Sequence, residues 1–312
     1  MFQARLIGGS RLSQMPTVVD LFSGVGGFSL GAARAGFKVV AAVENDPIAI
    51  ASHARNFPNT IHLEKDIRKL TGSQLLKAIG LKVGELTGLI GGPPCQGFSN
   101  IGRRNGNDGR NHLFGHFFRL VDQLRPSFFL AENVPGIMTP KYEKMRQNAL
   151  AKVPKCYTML DPFPVRASDY GAPTTRTRIF FFGYDTSKFT SEFTINDFDA
   201  PAEAETITVS MALQGLPVKI SDDWEREGSE WLKVVKKNGT AFMSKVTGHV
   251  PQGIGEKSAI EEYLETGRTS GCQGTKHVPK VVERFSKLKA GQTDSTSRAV
   301  RLDPEGFCPT LR

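Results

Sequence analysis

The chain has 312 residues, of which 39% are hydrophobic and 23% charged, a composition typical of a globular protein with one large domain and a smaller one. It contains no apolar run near the roughly 20 residues that span a membrane and no signal-peptide core, so we predict a cytoplasmic protein. The net charge of +9 arises from basic regions on either side of an acidic stretch at 191–230, which favours a polyanionic partner.

The first half of the chain alternates short buried strands with helices. After a leader at 1–16, the predicted elements are a strand at 17–22, a helix at 28–35, a strand at 37–44, a helix at 45–55, a strand at 86–90, a helix at 113–124 and strands at 127–131 and 178–183. This alternation predicts an α/β, Rossmann-like fold with an open, mostly parallel sheet. Ligands bind such sheets beyond the carboxyl ends of the strands, where Phe22, Glu44, Cys95 and Glu132 are expected.

The pattern changes after residue 184. Residues 185–205 are typical of a linker, and glycine recurs through the remainder of the chain, which predicts a smaller, loop-rich lobe. We therefore predict a large domain at 17–184, followed by a linker and a second lobe at 185–312.

A glycine-rich turn follows the first strand. Gly24 and Gly26 allow a ligand to approach the backbone closely, and Glu44, twenty residues beyond Gly24, is placed to bind ribose hydroxyls. Phe22 offers an aromatic face for an adenine, and Asp66 can accept from the adenine amine. A nicotinamide or flavin nucleotide fits these features equally well.

The most reactive segment is Gly91-Gly-Pro-Pro-Cys-Gln-Gly-Phe-Ser99. Two prolines fix the backbone directly before Cys95, and a cysteine held stiffly at a strand end is better placed for attack than for core packing. The other cysteines lie far away in sequence and form no Cys-x-x-Cys pair, so we predict no metal site. Because the chain shows no signal peptide, we expect its thiols to be reduced.

An acidic and a basic segment complete the candidate site. Glu132 ends a neighbouring strand and is expected beside Cys95. Arg176 and Arg178, two residues apart on extended chain, are expected to share a face and either orient the Glu132 carboxylate or hold a phosphate.

Four segments, in order, resemble the motifs of the DNA cytosine-5 methyltransferases. They are Asp20-Leu-Phe-Ser-Gly-Val-Gly-Gly-Phe28, the Cys95 loop at 91–99, Glu132-Asn-Val134 and Arg176-Thr-Arg178. The resemblance covers 17–184 and implies S-adenosylmethionine as the cofactor, double-stranded DNA as the partner and a target-recognition role for part of 185–312.

The resemblance also implies roles for individual residues. Phe22 would stack on the adenine, Glu44 would bind the ribose, and Asp66 with Ile67 would hold the adenine edge. The further cofactor contacts implied are Gly24, Gly26, Asn45, Pro94 and Leu113, the last of these near the methionine part.

The implied chemistry starts with addition of the Cys95 thiolate to carbon 6 of cytosine. Protonated Glu132 would offset the charge that develops on the ring, Arg178 would orient Glu132, and Arg176 would assist near the nucleophile loop. The target base must be flipped out of the duplex. Gln96, Ser99 and Arg110, with Arg103 and Arg104 between them, would contact the DNA.

Two departures from the family pattern stand out. Thr174 occupies the position where the family usually has glutamine, and the family's last two motifs are missing after Arg301-Leu-Asp-Pro304. Three explanations compete: a truncated product, one half of a split enzyme whose second chain supplies the rest, or a chain that folds alone with an open, weak cofactor site. We predict one of the first two. The setting that the resemblance implies is a restriction-modification or orphan modification system, associated with the nucleoid of a prokaryotic or phage-infected cell. The alternatives are a DNA-binding subunit without turnover of its own, an RNA-directed relative and a nucleotide-binding oxidoreductase.

Overall fold

The computed structural model describes residues 15–94, 112–217, 220, 231–235, 241–248 and 250–310. Within these residues a central sheet has the strand order β3-β2-β1-β4-β5-β8-β6, with β7 paired to β8. The strands are β1 (Thr17–Leu21), β2 (Lys38–Glu44), β3 (Ile61–Glu64), β4 (Gly88–Gly91), β5 (Phe128–Asn133), β6 (Tyr157–Met159), β7 (Phe163–Arg166) and β8 (Thr177–Asp185).

The pairing confirms the predicted α/β class. Strands β1 to β5 are parallel to one another, whereas β8 runs antiparallel to β5 and to β6. The chain reaches β6, β7 and β8 without a crossover helix between them, and antiparallel neighbours need none. The carboxyl ends of β1, β2, β4 and β5 therefore lie along one edge of the sheet.

Five helices of the described residues cover this sheet, and local signals set their ends. They are α1 (Gly27–Arg34), α2 (Pro47–Asn56), α3 (Gly72–Ile79), α4 (His112–Leu124) and α5 (Glu143–Leu150). The helix predicted from Asn45 begins instead at Pro47, because the Asp46 side chain caps the backbone N–H groups of Ile48 and Ala49. A capping box between Thr71 and Gln74 begins α3, and Gly80 ends it in the left-handed conformation.

The hydrophobic core forms a layer on each face of the sheet. Phe128 and Phe129 are adjacent in β5, point to opposite faces, and belong to different buried clusters. Phe129 packs with Phe117 and Phe118 of α4, while Phe128 packs with Phe182 of β8. Because both faces of β5 are covered, the position of Glu132 near its end is fixed by packing on both sides.

The chain divides into two compact units. The first takes in the described residues up to Val165 together with 177–199 and 250–254; the second takes in 166–176 and the described residues of 200–249 and 255–312. Residues 166–176 thus belong to the second unit, although they lie within the range predicted for the large domain. The division predicted at 184 and 185 stays a prediction.

The second unit has short elements joined by loops in its described part. They are α6 (Val209–Ala212), β9 (Leu232–Lys233), α7 (Ala241–Thr247), α8 (Lys257–Thr266), β10 (Arg268–Thr269) and α9 (Pro279–Ser286). An ion pair between Arg284 and the buried Asp294 ties α9 to the following loop, at 2.8 Å. None of the helices in the described ranges is long and apolar enough to cross a membrane.

Candidate active site

A cavity of about 420 Å³ lies at the carboxyl ends of the parallel strands in the first unit. Nearly all of the residues predicted to touch the cofactor line it; the exceptions are Gly24 and Gly26, which shape the turn next to it. The lining residues are Phe22, Val43, Glu44, Asn45, Lys65, Asp66, Ile67, Arg68, Gly92, Pro94 and Leu113. The structure therefore brings together side chains that are up to 91 positions apart in sequence.

Phe22 stands directly after β1 in an uncommon backbone conformation. Its φ of 59° lies in the left-handed region, which non-glycine residues rarely adopt. The next residue returns to the sheet, since the Ser23 N–H donates to the Val43 carbonyl at 3.2 Å. Such backbone conformations persist where the surroundings enforce them, and here the result is a half-buried aromatic ring in the cavity wall.

The Glu44 carboxylate accepts hydrogen bonds from three nearby backbone N–H groups. Its Oε2 accepts from the Gly24 N–H at 3.0 Å, and its Oε1 accepts from the N–H groups of Asn45 and Asp46 at 2.7 and 3.1 Å. Glu44 thus fastens the glycine turn after β1 to the end of β2. Only one of these three hydrogen bonds goes to Oε2, so this oxygen can also accept a hydrogen bond from a ligand hydroxyl.

Gly26 packs against helix α2. It has a φ of 103°, and a Cβ atom built there would overlap the Phe57 ring and approach the His53 ring to 3.1 Å. The glycine is therefore required both by its backbone conformation and by the space available. This contact fixes the distance between the glycine turn and α2.

We expect Gly26→Ala to destabilise the protein by at least about 2 kcal/mol, from the left-handed conformation plus overpacking. Gly31→Ala is the matched control, because Gly31 lies in α1 with nothing within 4 Å of its added Cβ. That change should instead stabilise by about 0.5–1 kcal/mol. Urea unfolding of both variants measures this; equal effects in the two would contradict the packing described for Gly26.

A buried polar chain lies behind the glycine turn, and sequence reasoning did not find it. Ser29 Oγ donates to Asp20 Oδ2 at 2.7 Å and lies 3.0 Å from His53 Nε2, and His53 Nδ1 lies 2.9 Å from His62 Nε2. Burial raises the pKa of Asp20 to about 7 and lowers the pKa of His53 to about 4. Burial also lowers the pKa of His62.

The pKa shifts of Asp20 and His53 act in opposite directions on stability. The folded protein holds the Asp20 proton more tightly than the unfolded chain, so stability is lost as pH rises from about 4 to about 7. The folded protein resists protonation of His53, so stability is lost as pH falls from about 6.5 to about 4. The two effects offset each other in the wild-type protein, and removing one should expose the other.

Asp20→Asn should therefore gain stability relative to wild type as pH rises. Asparagine keeps an acceptor for Ser29 and cannot ionise, so its advantage should grow by an amount on the order of 2 kcal/mol between pH 5 and pH 8. Denaturant unfolding at both pH values measures the change. Asp161→Asn, at an exposed position, should show no such trend; a trend of equal size there would refute the assignment to Asp20.

Asp66 is engaged by a residue that sequence reasoning also missed. Arg68 Nε lies 2.9 Å and Nη2 2.6 Å from Asp66 Oδ2, while Oδ1 accepts from the Arg68 N–H at 2.9 Å and from Nε at 3.0 Å. These hydrogen bonds lower the pKa of Asp66 to about 2. Asp66 was expected to stand ready for an adenine amine; instead, a ligand amine must share this carboxylate with Arg68 or displace it.

Glu132 and Arg178 form an ion pair between neighbouring strands. Arg178 Nε lies 2.8 Å from Glu132 Oε1, and the two side chains are only 16% and 21% exposed. A Cβ atom built on Gly92 would lie 3.2 Å from Glu132 Oε2, so the second carboxylate oxygen faces the start of the Gly-Gly-Pro-Pro segment. Asn133 Nδ2 donates to the Pro93 carbonyl at 3.3 Å and ties β5 to the same segment.

The two arginines lie on either side of the start of a strand, and the expectation that they share a face stays a prediction. Strand β8 begins at Thr177, so Arg178 belongs to it, whereas Arg176 precedes it in the segment 166–176 of the second unit. The Arg176 backbone is fixed within that segment, since its carbonyl accepts from the Ala167 N–H at 2.8 Å. The Thr174 hydroxyl accepts from the Arg176 N–H at 3.3 Å, so it makes one backbone bond in the place of the family's glutamine.

The predicted nucleophile and the predicted DNA contacts lie outside the described residues. These are Cys95, Gln96, Ser99, Arg103, Arg104 and Arg110. Immediately before them, Pro94 lines the cavity, and immediately after them α4 begins at His112 and carries Leu113 into the same cavity wall. In the described ranges no group of three His, Cys, Asp or Glu side chains is arranged to hold a metal ion.

Comparison with known proteins gives a consistent result. The family model for the C-5 cytosine-specific DNA methylases matches residues 16–299. The type II methyltransferase M.XorII of Xanthomonas oryzae pv. oryzae is 32% identical over 303 residues, 95% of this chain and 68% of the relative. M.DdeI of Desulfomicrobium norvegicum is 30% identical over 311 residues, 94% of this chain and 71% of the relative. A crystal structure described as a DNA modification methyltransferase encoded within a prophage (E. coli) is 46% identical with a TM-score of 0.85, and the match covers 95% of this chain and 82% of that one.

Proposed function

Since the chain belongs to the family of C-5 cytosine-specific DNA methylases, we propose that it methylates carbon 5 of cytosine at a specific sequence in double-stranded DNA through covalent catalysis by Cys95. Its activity class is that of a DNA (cytosine-5-)-methyltransferase, and the family implies S-adenosylmethionine as the methyl donor. We propose a restriction-modification setting, which the naming of its relatives as type II methyltransferases supports. An orphan modification enzyme is the alternative within this proposal.

The observation that best supports the mechanism is the placement of Glu132. One carboxylate oxygen is held by Arg178 at 2.8 Å, and the other faces Gly92, which lines the cavity and lies three residues before Cys95. The carboxyl group is thus fixed between a cation and the segment that leads to the proposed nucleophile. A group held this way can meet a base presented to Cys95 without rearrangement of the sheet.

The proposed reaction begins when the Cys95 thiolate adds to carbon 6 of the cytosine ring, forming a carbon–sulfur bond. Negative charge develops on the ring, and Glu132 in its protonated form donates to the ring nitrogen and offsets it. Arg178 orients Glu132, and Arg176 assists near the nucleophile loop. Once carbon 5 has accepted the methyl group, loss of its proton to a base breaks the carbon–sulfur bond and restores the thiolate of Cys95.

The methyl group comes from S-adenosylmethionine, which supplies it as a sulfonium methyl. The residues present fit this molecule. Phe22 offers a face for the adenine, Oε2 of Glu44 can accept from a ribose hydroxyl, and Asp66 with Ile67 borders the adenine edge of the cavity. Asn45, Pro94 and Leu113 complete the walls, and Gly24 and Gly26 shape the turn beside them.

The proposed substrate is a base flipped out of double-stranded DNA, at a cost of a few kcal/mol for unstacking. Gln96, Ser99 and Arg110 would contact the flipped nucleotide and its phosphates, and the positive net charge of +9 favours association with the duplex. The second unit would supply target recognition through its loops. A requirement for a second chain stays a prediction.

Methyl transfer to unmodified phage DNA tests the proposed function. We expect radiolabelled methyl groups from S-adenosylmethionine to appear in the DNA and, after enzymatic digestion, to be recovered as 5-methyl-2′-deoxycytidine. A transcript of the same sequence is the control substrate and should stay unlabelled. Recovery of the label on an exocyclic nitrogen, or in the transcript alone, would refute the proposal.

A further inference from the structure

The side chain of Arg119 joins helix α4 to the loop Asp66–Thr71, which we call the adenine-edge loop. Its Nη2 donates to the carbonyl of Ile67 at 2.8 Å and to the carbonyl of Leu70 at 2.9 Å. Its Nε contacts His116 Nδ1 at 3.1 Å, and its Nη1 donates to Gln123 Oε1 at 3.0 Å. All four acceptors are uncharged, so the guanidinium serves as a hydrogen-bond donor to backbone and side chains.

The guanidinium is partly buried at this position, and that burial lowers the pKa of Arg119. Taking a cation out of water is unfavourable unless hydrogen bonds replace its hydration. Here the hydrogen bonds of Arg119 replace that hydration, and a hydrogen bond from a charged donor to a carbonyl is stronger than one from a neutral donor. Ile67 and Leu70 are buried residues, so few hydrogen-bond donors other than Arg119 can reach their carbonyls.

A second contact fastens the far end of the same loop. The Gly72 N–H, at the start of α3, donates to Gln123 Oε1 at 2.7 Å, and this oxygen also accepts from Arg119. A Cβ atom on Gly72 would lie 2.6 Å from the Gln123 Cβ, so α3 and α4 are in close contact here. The adenine-edge loop is therefore held to α4 at Ile67, Leu70 and Gly72.

The same helix also forms part of the cavity wall. Leu113, near the start of α4, lines the cavity, and Asp66 and Ile67 line it from the adenine-edge loop. Arg119 thus connects two parts of the wall that come from distant segments of the chain. The backbone bonds within the loop, from the N–H groups of Lys69 and Leu70 to the Asp66 carbonyl, fix its shape but not its position on α4.

We propose that Arg119 is a positioning residue for the cofactor: it holds the adenine-edge loop at the distance from α4 that the adenine requires. The inference rests on the proposed function, because it takes the cavity as the S-adenosylmethionine site. It predicts a selective effect. Loss of Arg119 should weaken binding of the adenosine part and leave the chemistry at Cys95 and Glu132 unchanged.

The test compares Arg119→Met, which keeps the apolar stem, with Arg119→Lys, which keeps one cationic donor, and with Arg125→Met. Arg125 follows α4 and bonds to Asp122, so its replacement removes the same charge away from the cavity. Calorimetric titration with S-adenosylhomocysteine and with adenosine gives the affinities. We expect Arg119→Met to weaken both by about tenfold, Arg119→Lys to weaken both less, and Arg125→Met to change neither.

Two further readouts separate positioning from a general loss of structure. The kcat at saturating S-adenosylmethionine should stay within about twofold of wild type, since only ground-state binding is affected. Amide hydrogen exchange should become faster at residues 67–72 and stay unchanged in β5.

Wild-type affinity in Arg119→Met would overturn the inference, and so would a fall in kcat as large as the fall in affinity. If Arg119→Met does not fold, Arg119→Lys tests the inference in its place. Weakened affinity with unchanged kcat then supports the positioning role of Arg119, and unchanged affinity overturns it. Failure of the wild-type protein to bind S-adenosylhomocysteine would instead count against the proposed function, so the two failures are distinguishable.

Discussion

Replacement of Cys95 by serine is expected to reduce methyl transfer by about four orders of magnitude or more, since the nucleophile acts as a unit with its supporting groups. Serine preserves the size of the side chain, but its hydroxyl is not ionised near neutral pH and adds poorly to carbon 6. Affinity for duplex DNA should stay within about twofold of wild type, because that affinity comes mainly from phosphate contacts. Labelled methyl transfer and a filter-binding titration on the same DNA measure the two quantities.

Cys156→Ser is the matched control for this change. Cys156 is exposed and lies outside the cavity, so its replacement should leave both turnover and DNA affinity unchanged. A Cys95→Ser variant that retains a tenth or more of wild-type turnover would exclude Cys95 as the nucleophile. Loss of DNA binding in parallel with turnover would point to a folding defect and not to chemistry.

Replacement of Glu132 by glutamine should lower kcat by roughly 10²- to 10⁴-fold, the range for loss of a positioned proton donor. Glutamine keeps the shape of the side chain and can still accept from Arg178, but it cannot transfer a proton to the ring nitrogen. The cavity residues around the proposed cofactor are unchanged, so affinity for S-adenosylhomocysteine should remain within about twofold. Single-turnover methylation and calorimetric titration separate the two effects.

A substitution of Arg178, the ion-pair partner of Glu132, tests the same site from its other side. Arg178→Lys keeps the charge and loses the planar geometry that fixes the carboxylate at 2.8 Å, so it should lower kcat by less than Glu132→Gln does. Glu143→Gln, at an exposed position in the first turn of α5, should have no effect. Undiminished kcat in Glu132→Gln would contradict its proposed role.

Features that depend on order along the chain could be predicted from the sequence. Strands alternating with helices indicated the parallel sheet, and the rule that ligands bind at strand ends placed Phe22 and Glu44 in one cavity, as the structure shows. The interaction of Arg178 with Glu132 was one of two alternatives that the sequence left open, and the structure shows the ion pair. The reversed direction of β8 was not predicted, since hydrophobic pattern alone does not report strand direction.

Features that depend on contacts between distant segments could not be predicted. The polar chain from Asp20 to His62 joins residues of β1, α1, α2 and β3, and a lone histidine in an apolar pattern gives no sign of such a partner. Arg68 and Arg119 resemble ordinary exposed basic residues in the sequence. Only the folded chain shows that one engages Asp66 and the other holds the adenine-edge loop.

The most direct measurement of the central claim is covalent trapping on duplex DNA in which cytosine is replaced by 5-fluorocytosine. Fluorine at carbon 5 cannot leave as a proton does, so the carbon–sulfur bond should persist after methyl transfer. After digestion with trypsin and nuclease, mass spectrometry should find the modified base on the peptide Val83–Arg103, which contains Cys95 and no other cysteine. Attachment to the peptides of Cys156, Cys272 or Cys308, or no adduct on DNA that is demonstrably bound with cofactor, would contradict the account.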